Sequence, residues 1–168
     1  MKRVTQIFAI LCLAAPLLAC AALSKVSTPE PLVALPTSSA PAYDPASDPA
    51  ADLQKAISRA QKENKRILVE VGGEWCVWCH IMDRYYDSHP ELLKLREDHF
   101  VLLKVNYSDE NTNQKFLSQY PAVDGFPHIF ILESDGTLLH SQNTSELEDG
   151  QSYDQRRFTA FLVDWVKP

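Results

Sequence analysis

Two cysteines separated by two residues and followed at once by a histidine, Cys76-Val77-Trp78-Cys79-His80, form the cluster in this sequence best placed to do chemistry. The pentapeptide fits two incompatible reactions. As C-x-x-C between a strand and a helix, it is a dithiol that cycles between thiol and disulfide. As C-x-x-C-H, it is a covalent attachment site for c-type haem with His80 as an axial ligand. The cysteine count argues for chemistry over scaffolding. Of four cysteines in 168 residues, Cys12 and Cys20 lie in or at the end of an N-terminal apolar run, which leaves Cys76 and Cys79 for the folded part. A structural disulfide stabilises chiefly by closing a long loop of the unfolded chain, and a bridge across two residues closes almost nothing.

The surroundings favour the dithiol. A cysteine at the start of a helix meets unpaired N–H groups and the positive end of the helix dipole, both of which stabilise a thiolate. Cys76 is therefore the expected nucleophile, and Cys79, one turn on, the resolving thiol. Glu70 lies among Ile67, Leu68, Val69 and Val71 in an apolar run. A carboxyl buried there has a raised pKa and suits general acid–base work; the alternative is a Glu at a solvated strand edge. Haem needs a second axial ligand. Met82 is too close in sequence, and His89, His99, His128 and His140 follow no pattern. Zinc would need a second ligand pair. No metal or organic cofactor is expected, and His80 is read as a surface position on the active-site helix.

These residues need elements to hold them. Asp48 and Pro49 open a helix in which Leu53, Ala56, Ile57 and Ala60 recur at helical spacing. RILVEV (66–71) is a buried strand ended by Gly72-Gly73; a helix follows from the cysteines to about Asp87. Pro90 restarts a short helix to Leu95, HFVLLKV (99–105) is a second strand, and 112–119 a helix stopped by Pro121. Two strands, 128–132 and 137–140, flank the turn Ser134-Asp135-Gly136. Ser152-x-x-Gln155 reads as a capping box before Phe158, Phe161, Leu162 and Trp165 on one helical face. The order αβαβαββα implies an α/β fold, a small mixed sheet with helices on both faces.

That order and the stretches ILVEVGGEWCVWC (67–79) and VNYSDENTNQKFLSQYPAVDGFPHIFILESDG (105–136) resemble the thioredoxin superfamily over residues 50 to 166. Within it, the chain is similar to secreted domains akin to the periplasmic end of thiol:disulfide interchange proteins. The resemblance implies a thioredoxin-like three-layer fold. It also implies a Glu70 that takes the proton from the resolving Cys79, and a cis Phe126-Pro127 bond beside the dithiol. The Phe126 main chain could then pair with an extended substrate segment. Trp75 and Trp78 either line an apolar docking surface or belong to the core. The first thioredoxin strand is not evident, no Gly-Pro separates the cysteines, and Phe126 replaces the usual Thr or Val.

The N-terminus indicates where the domain works. Lys2 and Arg3 precede an apolar run from Ile7 to Leu18, the layout of a secretory signal over 1–20. The run is shorter than the roughly 20 residues a membrane-spanning helix needs. Leu17-Leu18-Ala19-Cys20 resembles a bacterial lipobox, with Cys20 the lipidation site and Ala21 the outer-membrane sorting pattern; ordinary cleavage near Ala19-Cys20-Ala21 is the alternative. Residues 21–49 hold six of the eleven prolines and read as a linker spanning on the order of 30 Å before the domain at 50–168. A formal charge of −6 argues against nucleic acid as a partner.

Together these readings describe a thiol:disulfide oxidoreductase in the periplasm, tethered to a membrane and acting on disulfides of extracytoplasmic proteins. Val77-Trp78 adds neither charge nor histidine between the cysteines. A reductase or electron relay fed by a membrane thiol relay is therefore favoured over an oxidase. The alternative is a redox-inactive module that binds client chains.

Overall fold

Asp48 is where helical structure begins. In the computed structural model, which describes residues 42–168, its carboxylate accepts the N–H groups of Ala50 and Ala51, and Pro49 takes the first turn of α1 (Pro49–Glu63). The chain leaves α1 through Asn64 in the left-handed conformation (φ 54°), and β1 (Arg66–Gly72) follows. The expected signal, Cys20 and most of the linker lie outside the described residues.

β1 is apolar almost throughout because it has neighbours on both edges and layers on both faces. It pairs in parallel with β2 (Phe100–Asn106) and antiparallel with β3 (His128–Leu132), and β4 (Leu138–Asn143) pairs with β3, giving the order β2-β1-β3-β4. Side chains alternate across the sheet. Leu68, Ile129 and Ile131 pack with α2 (Val77–Ser88), α3 (Pro90–His99) and α5 (Gln155–Asp164). Ile67, Val69 and Val71 pack with α1 and α4 (Gln114–Leu117) on the other face. The α/β reading holds: a four-stranded mixed sheet between helices.

Several boundaries differ from the expectation. α3 continues to His99, and α4 is only four residues long. Between β4 and α5 the chain forms a 3-10 turn, Thr144–Leu147, and a hairpin of β5 (Glu148–Asp149) and β6 (Ser152–Tyr153). Ser152 is thus a strand residue paired with Asp149, and the expected capping box does not form. Asp154 caps α5 instead, accepting the Arg157 N–H at 2.8 Å. Tyr43, in the stretch read as linker, is 1% exposed.

The β3–β4 turn folds as its residues indicate, with Gly136 at φ 91°. At its start, Glu133 clamps three parts of the chain: it accepts the Ser134 N–H and faces Lys167 Nζ at 3.2 Å and Arg66 Nε at 3.3 Å. The Ser134 N–H, followed by those two cations, pulls its pKa down to about 2. A carboxylate of this kind stabilises the fold above its unfolded pKa, and the contribution disappears as pH falls through about 2. Glu133→Gln should cost about 1 kcal/mol at neutral pH. Thermal melts should show the gap between variant and wild type closing as the medium is acidified below pH 4.

Candidate active site

Gly72 and Gly73 end β1 and let the chain turn tightly onto the cysteines. Cys76 donates its N–H to the Gly73 carbonyl at 2.9 Å and sits at the N-cap of α2. Its Sγ accepts the Cys79 N–H at 3.1 Å. The free N–H end of the helix is therefore aimed at the Cys76 sulfur, the placement that favours a thiolate. The two cysteines form a disulfide with Cα atoms 5.3 Å apart. Cys79 is fully buried and Cys76 retains 3% of its surface.

Gly72 allows the close approach. A Cβ there would lie 2.4 Å from Cys79 Sγ and 3.1 Å from Tyr43 Cζ, so strand, resolving sulfur and tyrosine ring share a space too small for a methyl group. Gly72→Ala should therefore destabilise the oxidised protein by roughly 1–3 kcal/mol, the usual cost of overpacking, read as a lowered denaturation midpoint.

Glu70 lies two residues before Gly72 on the same face of β1, the face that Cys79 Sγ approaches at Gly72. It is completely buried. Burial pushes its carboxyl pKa up, opposed by Lys104 and by a hydrogen bond from the Tyr43 hydroxyl. Tyr43 Oη donates to Oε1, which also faces Lys104 Nζ at 3.6 Å; Oε2 has no protein partner among the described residues. Lys104 is the register partner of Glu70 on β2 and also pairs with Asp83 at 2.6 Å.

The aromatics divide. Trp75 is 55% exposed; its Nε1 donates to the Tyr107 carbonyl at 2.7 Å, and its ring meets Phe126 edge-on at 5.5 Å. Phe126 stacks on Tyr107. The Phe126–Pro127 bond is cis, and the Thr144 hydroxyl donates to the Pro127 carbonyl. Trp78, by contrast, is half-buried; it packs against Tyr153 at 5.6 Å on one side and against the cluster of Tyr43, Cys76 and Cys79 on the other. A groove of about 670 Å³ runs from Tyr43 past Trp75 to Tyr107, with Glu74, Asp109 and Glu110 on its rim.

His80 has a structural task. Its Nε2 lies 2.8 Å from the Glu74 carbonyl and pins the loop that precedes Cys76. Among the described residues, no three His, Cys, Asp or Glu side chains converge on a point that could hold a metal ion. The fold brings the expected Cys76, Cys79, Glu70, Trp75, Phe126 and Pro127 to one end of the sheet. The sequence reading did not include Tyr43, Lys104 and Asp83, which the fold places around Glu70. Lys104 left a trace, a lone cation in the apolar strand HFVLLKV.

A family model described as thioredoxin-like matches residues 48–134, from the cap of α1 through β3, and so takes in Glu70, both cysteines and the cis Phe126–Pro127 bond. The chain belongs to the thioredoxin-like family. Its Cys76–Cys79 pair puts it among the thiol–disulfide oxidoreductases of that family. Among thioredoxin-like relatives, it is 29% identical over 107 residues to the thiol:disulfide interchange protein DsbD of Pseudomonas fluorescens, covering 63% of this chain and 18% of that protein. It is 33% identical over 100 residues to the thiol:disulfide interchange protein DsbE of Pseudomonas aeruginosa, covering 58% of this chain and 49% of DsbE. The chain thus spans under half the length of these relatives. A solved thioredoxin-like fold, a disulphide isomerase from Xylella fastidiosa, superposes with a TM-score of 0.64 at 22% identity, over 76% of this chain and 98% of that one.

Proposed function

We propose that the protein is an extracytoplasmic thiol:disulfide reductase or electron relay, held at a membrane by a lipid on Cys20. The observation that carries the reading is the arrangement of three groups. Cys76 lies at a helix N-terminus, Cys79 lies buried behind it against Gly72, and the buried Glu70 lies two residues before Gly72 on the same strand face.

In the reduced enzyme, the Cys76 thiolate attacks a substrate disulfide. A Cys76–substrate bond forms, the substrate S–S bond breaks, and the first substrate sulfur leaves as a thiolate that takes a proton. Cys79 then gives its proton to Glu70 and attacks Cys76 Sγ. The protein disulfide closes, the mixed disulfide breaks, and the second substrate sulfur leaves. Two electrons pass from protein to substrate. Glu70 needs a free basic oxygen for this step, and Oε2 provides it.

Trp75, Phe126 and the cis Pro127 form the rim on which an extended substrate segment docks, and the adjoining groove continues that surface. Reduction of the spent disulfide falls to a dithiol partner, a membrane thiol relay. The likeness to interchange proteins supports that assignment, and the N-terminal apolar run with its lipobox supports the location.

Insulin reduction with dithiothreitol as donor tests the reading. Wild type should accelerate precipitation of the insulin B chain, and Cys76→Ser should fall to the uncatalysed rate. Equal rates for the two proteins would instead favour a redox-inactive client-binding module.

A further inference from the structure

Tyr43 lies outside the dithiol motif, ahead of the first helix, yet it is bound to the site at three points. Its N–H donates to Glu74 Oε1 at 2.8 Å, in the turn leading into Cys76. Its ring covers Gly72 and carries the Lys104 ammonium 4.6 Å above its centroid. Its hydroxyl donates to Glu70 Oε1. Two residues on, the Pro45 carbonyl accepts Asn111 Nδ2 at 2.8 Å, so the segment is fastened to the loop after β2 as well.

We propose that Tyr43 is a positioning residue of the redox site: its hydroxyl fixes the Glu70 carboxylate on the strand face that Cys79 approaches, and its ring closes the resolving sulfur off from water. This rests on the reading of Glu70 as the proton acceptor. A neutral phenol donating to a carboxylate favours the charged form of the acid. Tyr43 is suited to stay neutral, because burial first and then the neighbouring Glu70 push its pKa up.

The other groups facing Glu70 are Lys104 from β2, Arg96 from α3, and Asp83 and Tyr86 from α2, with Tyr153 from β6; β3 contributes apolar Ile129. Among them, Lys104 shares its charge with Asp83, and the Arg96 guanidinium lies over the Tyr86 ring. The phenol of Tyr43 is the group hydrogen-bonded to the carboxylate. Without it, Glu70 should hold its proton to higher pH, and resolution should become slower wherever the carboxylate is scarce.

The resolving step can be watched alone. Reduced full-length protein mixed with Ellman's reagent releases one coloured thiolate when Cys76 attacks and a second when Cys79 displaces it. The rate of the second phase is measured against pH for wild type, Tyr43→Phe and Glu70→Gln, with a carbon-13 titration of the Glu70 carboxyl in the first two. In Tyr43→Phe, the acid limb should move to higher pH, with resolution about tenfold slower on that limb and the deficit narrowing as pH rises. The carboxyl titration should move the same way. A second-phase profile superimposed on wild type, or slowed equally at every pH, while Glu70→Gln loses the acid limb, would overturn the role of Tyr43 alone. An acid limb that survives in Glu70→Gln would remove Glu70 as acceptor, and Tyr43's role with it.

Discussion

Cys79→Ser should turn the enzyme into a trap. Attack by Cys76 needs only its own thiolate and the helix N-terminus, both of which the variant keeps. The second displacement needs a sulfur within reach of Cys76 Sγ, and the partner that forms the protein disulfide is Cys79. The variant should therefore release a single equivalent of thiolate from Ellman's reagent and stop. With protein substrates it should accumulate a covalent complex that survives denaturing electrophoresis and is dissolved by dithiothreitol. Insulin turnover should fall to background. The complementary Cys76→Ser should form no such complex, because Cys79 is fully buried. Mass spectrometry of the trapped species reads the outcome directly, and adducts at Cys79 in Cys76→Ser would reverse the assigned roles.

Glu70→Gln should lose activity while gaining stability. The variant keeps the shape of the side chain and an oxygen for the Tyr43 hydroxyl, but it cannot accept a proton. General base assistance is typically worth at least about a hundredfold, and that is the slowing expected in the second thiolate release. Stability should move the other way. The folded pKa of Glu70 is raised by burial, so no charge is buried below its unfolded value of 4.5, and stability is lost as pH rises through the raised folded value. Gln carries no such penalty. At neutral pH the variant should be more stable than wild type by on the order of 1 kcal/mol, and the two should converge below about pH 4. Urea unfolding of the oxidised proteins at the two pH values measures this. Slower resolution in a more stable protein cannot be assigned to misfolding.

What could be read in the sequence was what local rules govern. RILVEV is apolar because β1 is covered on both faces, and Gly72-Gly73 breaks it where the chain must turn. The Ser134-Asp135-Gly136 turn and the Gly125-Phe126-Pro127 loop carry their own conformational preferences. Each of these stretches declares itself without a tertiary partner. Tyr43 does not: it is one aromatic in a proline-rich stretch, and its place beside Glu70 depends on contacts 27 residues apart in the chain. The β5–β6 hairpin has strands of two residues, too short for any periodicity to show. Ser152 and Asp154 both had the chemistry to cap α5, and the hairpin that draws Ser152 into a strand decided between them. Likewise, nothing local separates Trp75 from Trp78; the helix direction turns one toward Phe126 and the other toward Tyr153.

The central claim is that Cys76 and Cys79 work as a reductant. Val77 and Trp78 supply no charge or histidine between the cysteines, so the Cys76 thiolate has the helix N-terminus and little else to stabilise it, and the disulfide form should be comparatively favoured. The reduction potential of the pair, measured by equilibrating the protein with dithiothreitol redox buffers and counting free thiols, decides this. A reductant should show a value near that of thioredoxin, about −270 mV; a value near that of DsbA, about −120 mV, would contradict the reductant role and make the protein an oxidant.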